Sequence, residues 1–199
     1  MDTVKNFIVA TKNRDKVSEI QEILRDLPFH ILTMTEAGVD DDIEENGETF
    51  EANALLKALA VHKKTGGYVM ADDSGLAIDA LGGAPGIYSA RFMGSDSTYK
   101  EKIAALWELL KNVPPEKRTA HFICAIAVVR PDGSSFTVRE SMDGILYDRI
   151  VGDNGFGYDP VFYLPERGLT TAQLPPEEKN RISHRGKALR AMLAELQNT

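Results

Sequence analysis

The chain has 199 residues, of which 43% are hydrophobic, so it has enough apolar residues to bury a substantial core. Its formal charge of −7 disfavours the broad Lys- and Arg-rich surfaces that bind a nucleic-acid backbone. The single cysteine, Cys124, excludes a disulfide within the chain, and its apolar surroundings predict a buried strand. No run of about 18 apolar residues predicts a membrane span, and the first residues lack the apolar core of a signal peptide. We therefore expect a cytoplasmic protein that binds neither membrane nor nucleic acid.

Predicted strands and helices alternate at both ends of the chain. In chain order, the apolar pattern predicts a strand over 6–10, a helix through Val17 and Leu27, a strand near Ile31, a helix from about Thr49 to Gly66, a strand up to Ala71, a helix stopped by Pro114, a mostly β region over 120–162 with a hairpin turn at 131–133, and a final helix through Leu196. This order favours an α/β protein with an elongated mixed sheet flanked by helices, and we treat 1–199 as one domain.

The segment formed by Asp72, Asp73, Ser74 and Gly75 directly follows an apolar run, and so places two carboxylates at the predicted end of a strand. Magnesium takes oxygen ligands, usually one or two carboxylates together with the phosphates of a substrate. A polar turn is the alternative interpretation of these four residues alone. The segment is therefore a candidate metal and catalytic site.

A second group of carboxylates precedes the helix that begins near Thr49. Glu44 or Glu45 is a candidate second metal ligand beside the Asp72–Asp73 pair. On the helix, Asn53 and Lys57 are four residues apart and share a face, so Lys57 is expected to be partly sheltered and to act near the carboxylates and a phosphate.

Three polar segments are candidate substrate-binding sites. The loop after the first strand offers hydroxyl, amide and cationic donors beside a helix N-terminus, which suits phosphate. A glycine-rich loop carries two aromatic side chains that can stack on a base, with a tight turn fixed by aromatic packing as the alternative. A basic stretch lies just before the final helix. The candidate residues are Thr11, Lys12, Asn13, Arg14, Asp15 and Lys16 in the first segment, Phe156, Gly157, Tyr158 and Asp159 in the second, and Lys179, Ser183, His184 and Arg185 in the third.

Taken in order, these segments resemble the inosine triphosphate pyrophosphatase family over nearly the whole chain. The motifs are Thr11-x-Asn13-x-x-Lys16, Glu44-Glu45-x-Gly47-x-Thr49-Phe50, Ala71-Asp72-Asp73-Ser74-Gly75-Leu76, Gly83-Ala84-Pro85-Gly86-Ile87-Tyr88-Ser89-Ala90-Arg91, Gly155-Phe156-Gly157-Tyr158-Asp159-Pro160 and Ile182-Ser183-His184-Arg185-Gly186. The chain departs from the family pattern at Ala52, where the family commonly has Glu.

The resemblance implies a magnesium-dependent homodimer that hydrolyses ITP, dITP, XTP and dXTP to the monophosphate and pyrophosphate. It also implies a fold related to Maf proteins, with two lobes and the nucleotide in a central cleft. By motif, Thr11, Asn13 and Lys16 would bind phosphate, Glu44 or Glu45 with Asp73 would hold magnesium, Asp73 would act as the base, Ser74 would touch the substrate, residues 156–159 would form the base platform, and Lys179, His184 and Arg185 would grip the purine edge or the phosphates.

Several alternatives remain open from the sequence alone. Either Asp72 or Asp73 can be the proton acceptor, because a carboxylate bound to a cation becomes a weaker base. Donors from Arg185 or a nearby backbone amide can read the 6-oxo group of inosine and xanthine. A Maf-like pyrophosphatase of pyrimidine or modified nucleotides and a nucleotide sensor without turnover are the competing functions.

Overall fold

The structure is a computed structural model that describes residues 5–197. Its strands are β1 (Lys5–Val9), β2 (Phe29–Thr33), β3 (Tyr68–Ile78), β4 (Thr119–Val129), β5 (Ser135–Leu146), β6 (Phe162–Leu164) and β7 (Leu169–Thr170). Its α-helices are α1 (Arg14–Leu24), α2 (Phe50–Thr65), α3 (Tyr99–Leu109), α4 (Pro176–Ile182) and α5 (His184–Gln197). None of the helices within residues 5–197 is long and apolar enough to cross a membrane.

The strands form a mixed sheet in the order β2-β1-β3-β4-β5-β6-β7. β1 is parallel to both β2 and β3, whereas β6 is antiparallel to both β5 and β7. This confirms the predicted α/β class with a mixed sheet. The predicted hairpin turn is also present, because Arg130 N donates to Ser134 O between β4 and β5.

The chain divides into two compact units by its internal contacts. Within the described residues, the first unit comprises 5–73, 124–140 and 185–197, and the second comprises 74–123 and 141–184. The division falls inside β3, between Asp73 and Ser74.

In the first unit, side chains alternate between two apolar cores because successive residues of a strand face opposite sides of the sheet. One core joins alternate residues of β1, β3 and β4 to α1 and α5, and the other joins the intervening residues to α2. Phe7 and Val9 belong to the first core, and Ile8 and Ala10 belong to the second.

The helix α2 begins and ends as the sequence predicts. Thr49 is its N-cap, with a side-chain oxygen that accepts a hydrogen bond from Ala52 N, and Gly66 ends it in the left-handed conformation with φ 68°. Its inward face, which carries Ala54, Ala58 and Val61, is buried in the second core. These caps and contacts fix the position of Lys57 on the same helix.

In the second unit, α3 packs its apolar face on the strands. Ile103 and Leu106 join a core that includes Phe122 and Phe162, whose rings stack with centroids 4.0 Å apart. A capping box between Thr98 and Glu101 fixes the start of α3.

The prediction that the Asp72–Asp73 pair ends a strand is wrong. β3 continues to Ile78, so both carboxylates lie inside it. Charged side chains can occupy a buried strand here because each carboxylate has a cationic partner on an adjoining helix.

Candidate functional site

Asp72 and Asp73 are neighbours in β3, so their side chains leave opposite faces of the sheet. Asp72 lies on the side that packs with α1 and α5, as Met70 does two residues earlier. Asp73 lies on the side that packs with α2, as Ala71 does. The two adjacent carboxylates therefore have separate environments.

Asp72 is fully buried within a group of charged side chains. Its Oδ1 is 2.5 Å from Lys16 Nζ, and its Oδ2 accepts hydrogen bonds from Arg185 Nε at 2.9 Å and from the Cys124 thiol at 3.0 Å. Burial alone would raise the pKa of Asp72, but the charges of Arg185 and Lys16 outweigh it and hold this pKa well below its ordinary value. A carboxylate this acidic, with both oxygens engaged, is a poor proton acceptor at neutral pH.

Asp73 has the opposite electrostatic character. Its side chain is buried, with Oδ1 3.7 Å from Lys57 Nζ, and its Oδ2 has no hydrogen-bond partner among residues 5–197. Burial raises the pKa of Asp73 to about 6, against the opposing charge of Lys57. A carboxylate with a pKa near neutrality and an unused oxygen can accept a proton or bind a cation.

Lys57 joins Asp73 to the acidic loop over 40–45, which precedes α2. Its Nζ donates to the backbone oxygen of Asp72 at 2.8 Å and to Glu45 Oε1 at 3.3 Å. One turn earlier on the helix, Asn53 accepts a hydrogen bond from Gly47 N at 2.8 Å, which holds the loop against α2. Glu45 therefore shares Lys57 with Asp73.

Glu44, the alternative metal ligand from the sequence, is exposed. At the position where the family commonly has Glu, the chain has Ala52, and Glu51 Oε1 accepts a hydrogen bond from Arg139 at 3.4 Å instead. Glu51 is directed to Arg139, so it does not take the place of the Glu that the family commonly has at position 52.

The oxygen ligands in this region fit a magnesium ion in number and type. No group of three or more His, Cys, Asp or Glu side chains within residues 5–197 is arranged to hold a metal by itself. Magnesium does not need one, because it is usually bound by one or two carboxylates plus substrate phosphates. The unpartnered Asp73 Oδ2 and the nearby Glu45 carboxylate supply such a pair of hard ligands.

The predicted phosphate loop is shorter than expected, because residues from Arg14 onward belong to α1. Asn13 caps this helix, and its Oδ1 accepts hydrogen bonds from the backbone amides of Asp15 at 3.0 Å and Lys16 at 3.1 Å. Thr11 Oγ1 in turn accepts one from Asn13 N at 3.2 Å. Those amides are therefore engaged at the helix start, and the Thr11 hydroxyl and the cations remain the candidate phosphate donors.

Lys12 contacts the acidic loop. Its Nζ donates to Asp42 Oδ1 and to the backbone oxygen of Asp40, both at 2.7 Å, and Lys64 on α2 pairs with Asp41. The sequence analysis placed Lys12 among the substrate ligands, whereas the structure gives its ammonium two partners within the protein. The acidic loop is held on two sides by these cations.

In the second unit, the carboxylate of Asp159 holds the glycine-rich loop together. Its Oδ2 accepts hydrogen bonds from Lys179 Nζ at 2.6 Å and from Phe156 N at 2.9 Å, and its Oδ1 accepts one from Thr171 Oγ1 at 2.8 Å. A Cβ at Gly155 would lie 2.1 Å from Asp159 Oδ2, and the φ of Gly155 is +72°. Glycine is therefore required at this position.

The two aromatic side chains of this loop have different environments. Phe156 is partly buried, and the Lys179 ammonium lies over its ring, 5.0 Å from the centroid. Tyr158 is only 4% exposed and packs edge-on against Tyr99 with centroids 5.0 Å apart. The prediction that both aromatic rings of the loop can stack on a base is wrong for Tyr158, because its ring is buried in the core of the second unit.

The candidate residues of the basic segment are buried. Lys179 lies in α4, His184 begins α5, and Ser183 joins the two helices. All three are buried, and the His184 ring stacks on Phe122 with centroids 4.8 Å apart. Ser74, the residue after the carboxylate pair, is partly exposed.

Arg185 differs most from the sequence expectation. It was assigned to the purine edge or the phosphates, but its side chain is 2% exposed and pairs with Asp72 and with Glu19, whose Oε2 is 2.5 Å from Nη1. A guanidinium buried between two carboxylates is held by its own protein. In this structure Arg185 is therefore a structural cation of the first unit.

Sequence reasoning missed several residues that support these groups, namely Glu19, Ser89, Cys124 and Thr171. For Glu19 a signal existed, because it lies three residues after Lys16 and therefore on the same helical face. For Cys124 the apolar pattern predicted burial but not the contact with Asp72. Ser89 belongs to a motif of the family resemblance that predicted none of its contacts, and no local pattern identifies Thr171.

The model of the Ham1 family matches residues 7–195 of the chain. The chain belongs to the Ham1 family. Among Ham1 relatives, the dITP/XTP pyrophosphatase of Caldanaerobacter subterraneus is 48% identical over 185 residues, which cover 92% of each chain. The dITP/XTP pyrophosphatase of Clostridium perfringens is 45% identical over 192 residues, which cover 94% of each. A solved HAM1 protein from Coxiella burnetii has a TM-score of 0.88 at 41% identity, covering 98% of this chain and 100% of its own. These similarities confirm the family resemblance indicated by the six motifs.

Proposed function

We propose that this Ham1 family chain hydrolyses dITP and XTP, together with ITP and dXTP, to the nucleoside monophosphate and pyrophosphate. The names of the relatives, dITP/XTP pyrophosphatase, support the substrate class. The observation that carries the chemistry is Asp73, a buried carboxylate with an unpartnered oxygen and a pKa raised to about 6 by burial.

In the proposed reaction, Asp73 accepts a proton from a water molecule as the water oxygen bonds to the α-phosphorus. The bond from that phosphorus to the bridging oxygen breaks, and the electron pair leaves with pyrophosphate. Lys57, 3.7 Å from Asp73, offsets the phosphate charge and keeps the carboxylate oriented. Lys16 is partly exposed beside Asp72 and supplies a second positive charge.

Asp73 and Glu45 are the residues that would hold magnesium, since both carboxylates lie around Lys57. When bound, the ion supplies positive charge to the phosphate oxygens. A cation on Asp73 lowers the pKa of this carboxyl below its metal-free value of about 6. Asp73 then stays ionised to lower pH, and it is a weaker proton acceptor than the metal-free carboxylate.

Base recognition is assigned to the Phe156 loop. The ring is partly buried beneath the Lys179 ammonium and offers a stacking surface worth roughly 1–3 kcal/mol per base. With Arg185 paired to Asp72 and Glu19, backbone amides are the better candidates for reading the 6-oxo group. A donor left unpaired against the 6-amino group of adenine costs roughly 1–3 kcal/mol, which supplies selectivity.

Homodimer assembly and a cytoplasmic location are also proposed, from the family resemblance and the sequence respectively. The formal charge of −7 supports the absence of nucleic-acid partners.

The test is pyrophosphate release from XTP, ITP, GTP, ATP and dTTP, each with Mg²⁺ and with EDTA. Metal-dependent release confined mainly to XTP and ITP is the expected result. A preference for dTTP would instead identify a Maf-like enzyme, and binding without release would identify a nucleotide sensor.

A further inference from the structure

A serine in the second unit holds the segment over 86–89 against β3. Ser89 is buried, and its Oγ accepts a hydrogen bond from Leu76 N at 2.8 Å and donates one to Gly86 O at 2.6 Å. Leu76 lies in β3, two residues after Ser74. The segment over 86–89 is thereby fixed to the strand that carries candidate substrate contacts.

The backbone oxygen of the same serine receives the phenol of Tyr158. The hydroxyl of Tyr158 donates to Ser89 O at 2.8 Å across 69 residues of sequence, and the ring packs edge-on against Tyr99. Burial raises the pKa of Tyr158, so the phenol keeps its proton and remains a donor. The loop that contains Phe156 is therefore anchored to the segment that is fixed on β3.

This anchor matters because the backbone on either side of Phe156 is intrinsically permissive. Gly155 and Gly157 both have positive φ, +72° and +66°. Glycine allows a wider range of backbone conformations than any other residue. The direction of the Phe156 ring is therefore set by contacts of neighbouring side chains. Those contacts include the Lys179 ammonium over the ring, the Asp159 carboxylate on Phe156 N and the Tyr158 hydroxyl on Ser89 O.

We propose that Tyr158 is a positioning residue for the purine base, because its bond to Ser89 O holds the Phe156 loop in the shape that receives the base. This role rests on the proposed function. It assigns Tyr158 no contact with the nucleotide, and it separates recognition of the base from binding of the phosphates.

The test removes only the hydroxyl. In Tyr158→Phe the ring still packs on Tyr99, but Ser89 O loses its donor. We expect the KM for XTP to rise roughly three- to tenfold, the range for one lost buried hydrogen bond, with kcat within about twofold of wild type. Inorganic tripolyphosphate, which has phosphates but no base, should inhibit the variant and the wild type with the same inhibition constant.

The matched control is Tyr163→Phe, which removes a phenol hydroxyl in β6 of the same unit, where the ring stacks on Tyr147. This control should leave all three constants unchanged. Circular dichroism checks that both variants are folded.

Two results would overturn the role of Tyr158. One is an unchanged KM for XTP in Tyr158→Phe, and the other is an inhibition constant for tripolyphosphate that rises by the same factor as the KM, which indicates a general structural loss. Both differ from failure of the proposed function, in which the wild-type protein itself would not hydrolyse XTP.

Discussion

Replacing either of two adjacent aspartates by asparagine should have opposite consequences. Asp73→Asn removes the proposed base and leaves a neutral side chain of the same shape beside Lys57. Asp72→Asn removes the carboxylate that pairs with Lys16 at 2.5 Å and Arg185 at 2.9 Å. We expect the first variant to lose turnover without losing stability, and the second to lose stability.

Asp73→Asn should affect kcat and thermal stability for separate reasons. Loss of a general base lowers kcat by about 10²–10⁴-fold. The difference between a folded pKa of about 6 and the ordinary value of 3.8 corresponds to about 3 kcal/mol. Because the folded pKa is the higher one, the unfolded chain releases its proton first, and folding becomes less favourable as pH rises from about 3.8 to about 6. Above pH 6 the wild type carries this full cost, so Asp73→Asn should melt at the same temperature or higher.

The size of the Asp72 effect follows from burial. Removing one member of a buried ion pair costs roughly 3–5 kcal/mol, because the remaining charges lose their partner. Asp72 is fully buried and serves two cations, so its loss should lie in this range. For a protein of this length, such a loss lowers the melting temperature by roughly 6–20 °C.

Two assays on purified wild type and both variants decide the matter. Thermal unfolding at pH 7.5 gives the melting temperatures, and pyrophosphate release from XTP with Mg²⁺ gives kcat, measured below the melting temperature of Asp72→Asn. Substantial turnover by Asp73→Asn would refute its role as base. An Asp72→Asn protein as stable as wild type would refute the reading of Asp72 as a structural ion.

Two further predictions concern single contacts in the second unit. Hydrogen bonding to Asp143 raises the pKa of His121. The free energy of unfolding of wild type should therefore exceed that of His121→Gln by its full amount below about pH 6.5, and this difference should shrink as pH rises through the raised pKa. Urea unfolding from about pH 5.5 to 9 measures it. A pH-independent difference would contradict this. Gly155→Ala should raise the KM for XTP at least tenfold, because its Cβ would collide with Asp159, whereas Gly133→Ala has a similar positive φ with open space and should leave the KM unchanged.

The helices α1, α2, α3 and α5 and most strands were predictable because their signals are local, whereas α4 was not predicted. The spacing of Ala54, Ala58 and Val61, the cap at Thr49 and the terminal Gly66 all appear within one stretch of sequence. The end of β3 was not predictable in this way, because Asp, Ser and Gly are turn-forming residues whose strand geometry here depends on partners from distant helices.

The site was predicted in its inventory but only partly in its environments. The segments around Asp73, Lys57 and Glu45 do lie together in the first unit. Arg185 was assigned to a ligand because nothing near it in sequence reveals that Asp72, 113 residues away, accepts its guanidinium. Long-range pairing of this kind has no local pattern, so exposure cannot be read from residue type.

Because successive side chains of β3 lie on opposite faces of the sheet, mutations at Asp72 and at Asp73 should be tolerated differently. Two neighbouring codons specify side chains on opposite faces, one facing a charged cluster and one facing the proposed reaction. In a library of random variants, a screen for soluble expression should deplete substitutions at Asp72 while retaining many at Asp73. A screen for nucleotide turnover should deplete both. A deletion of one residue just before the pair would move each aspartate to the opposite face of the sheet and should be lost from both screens.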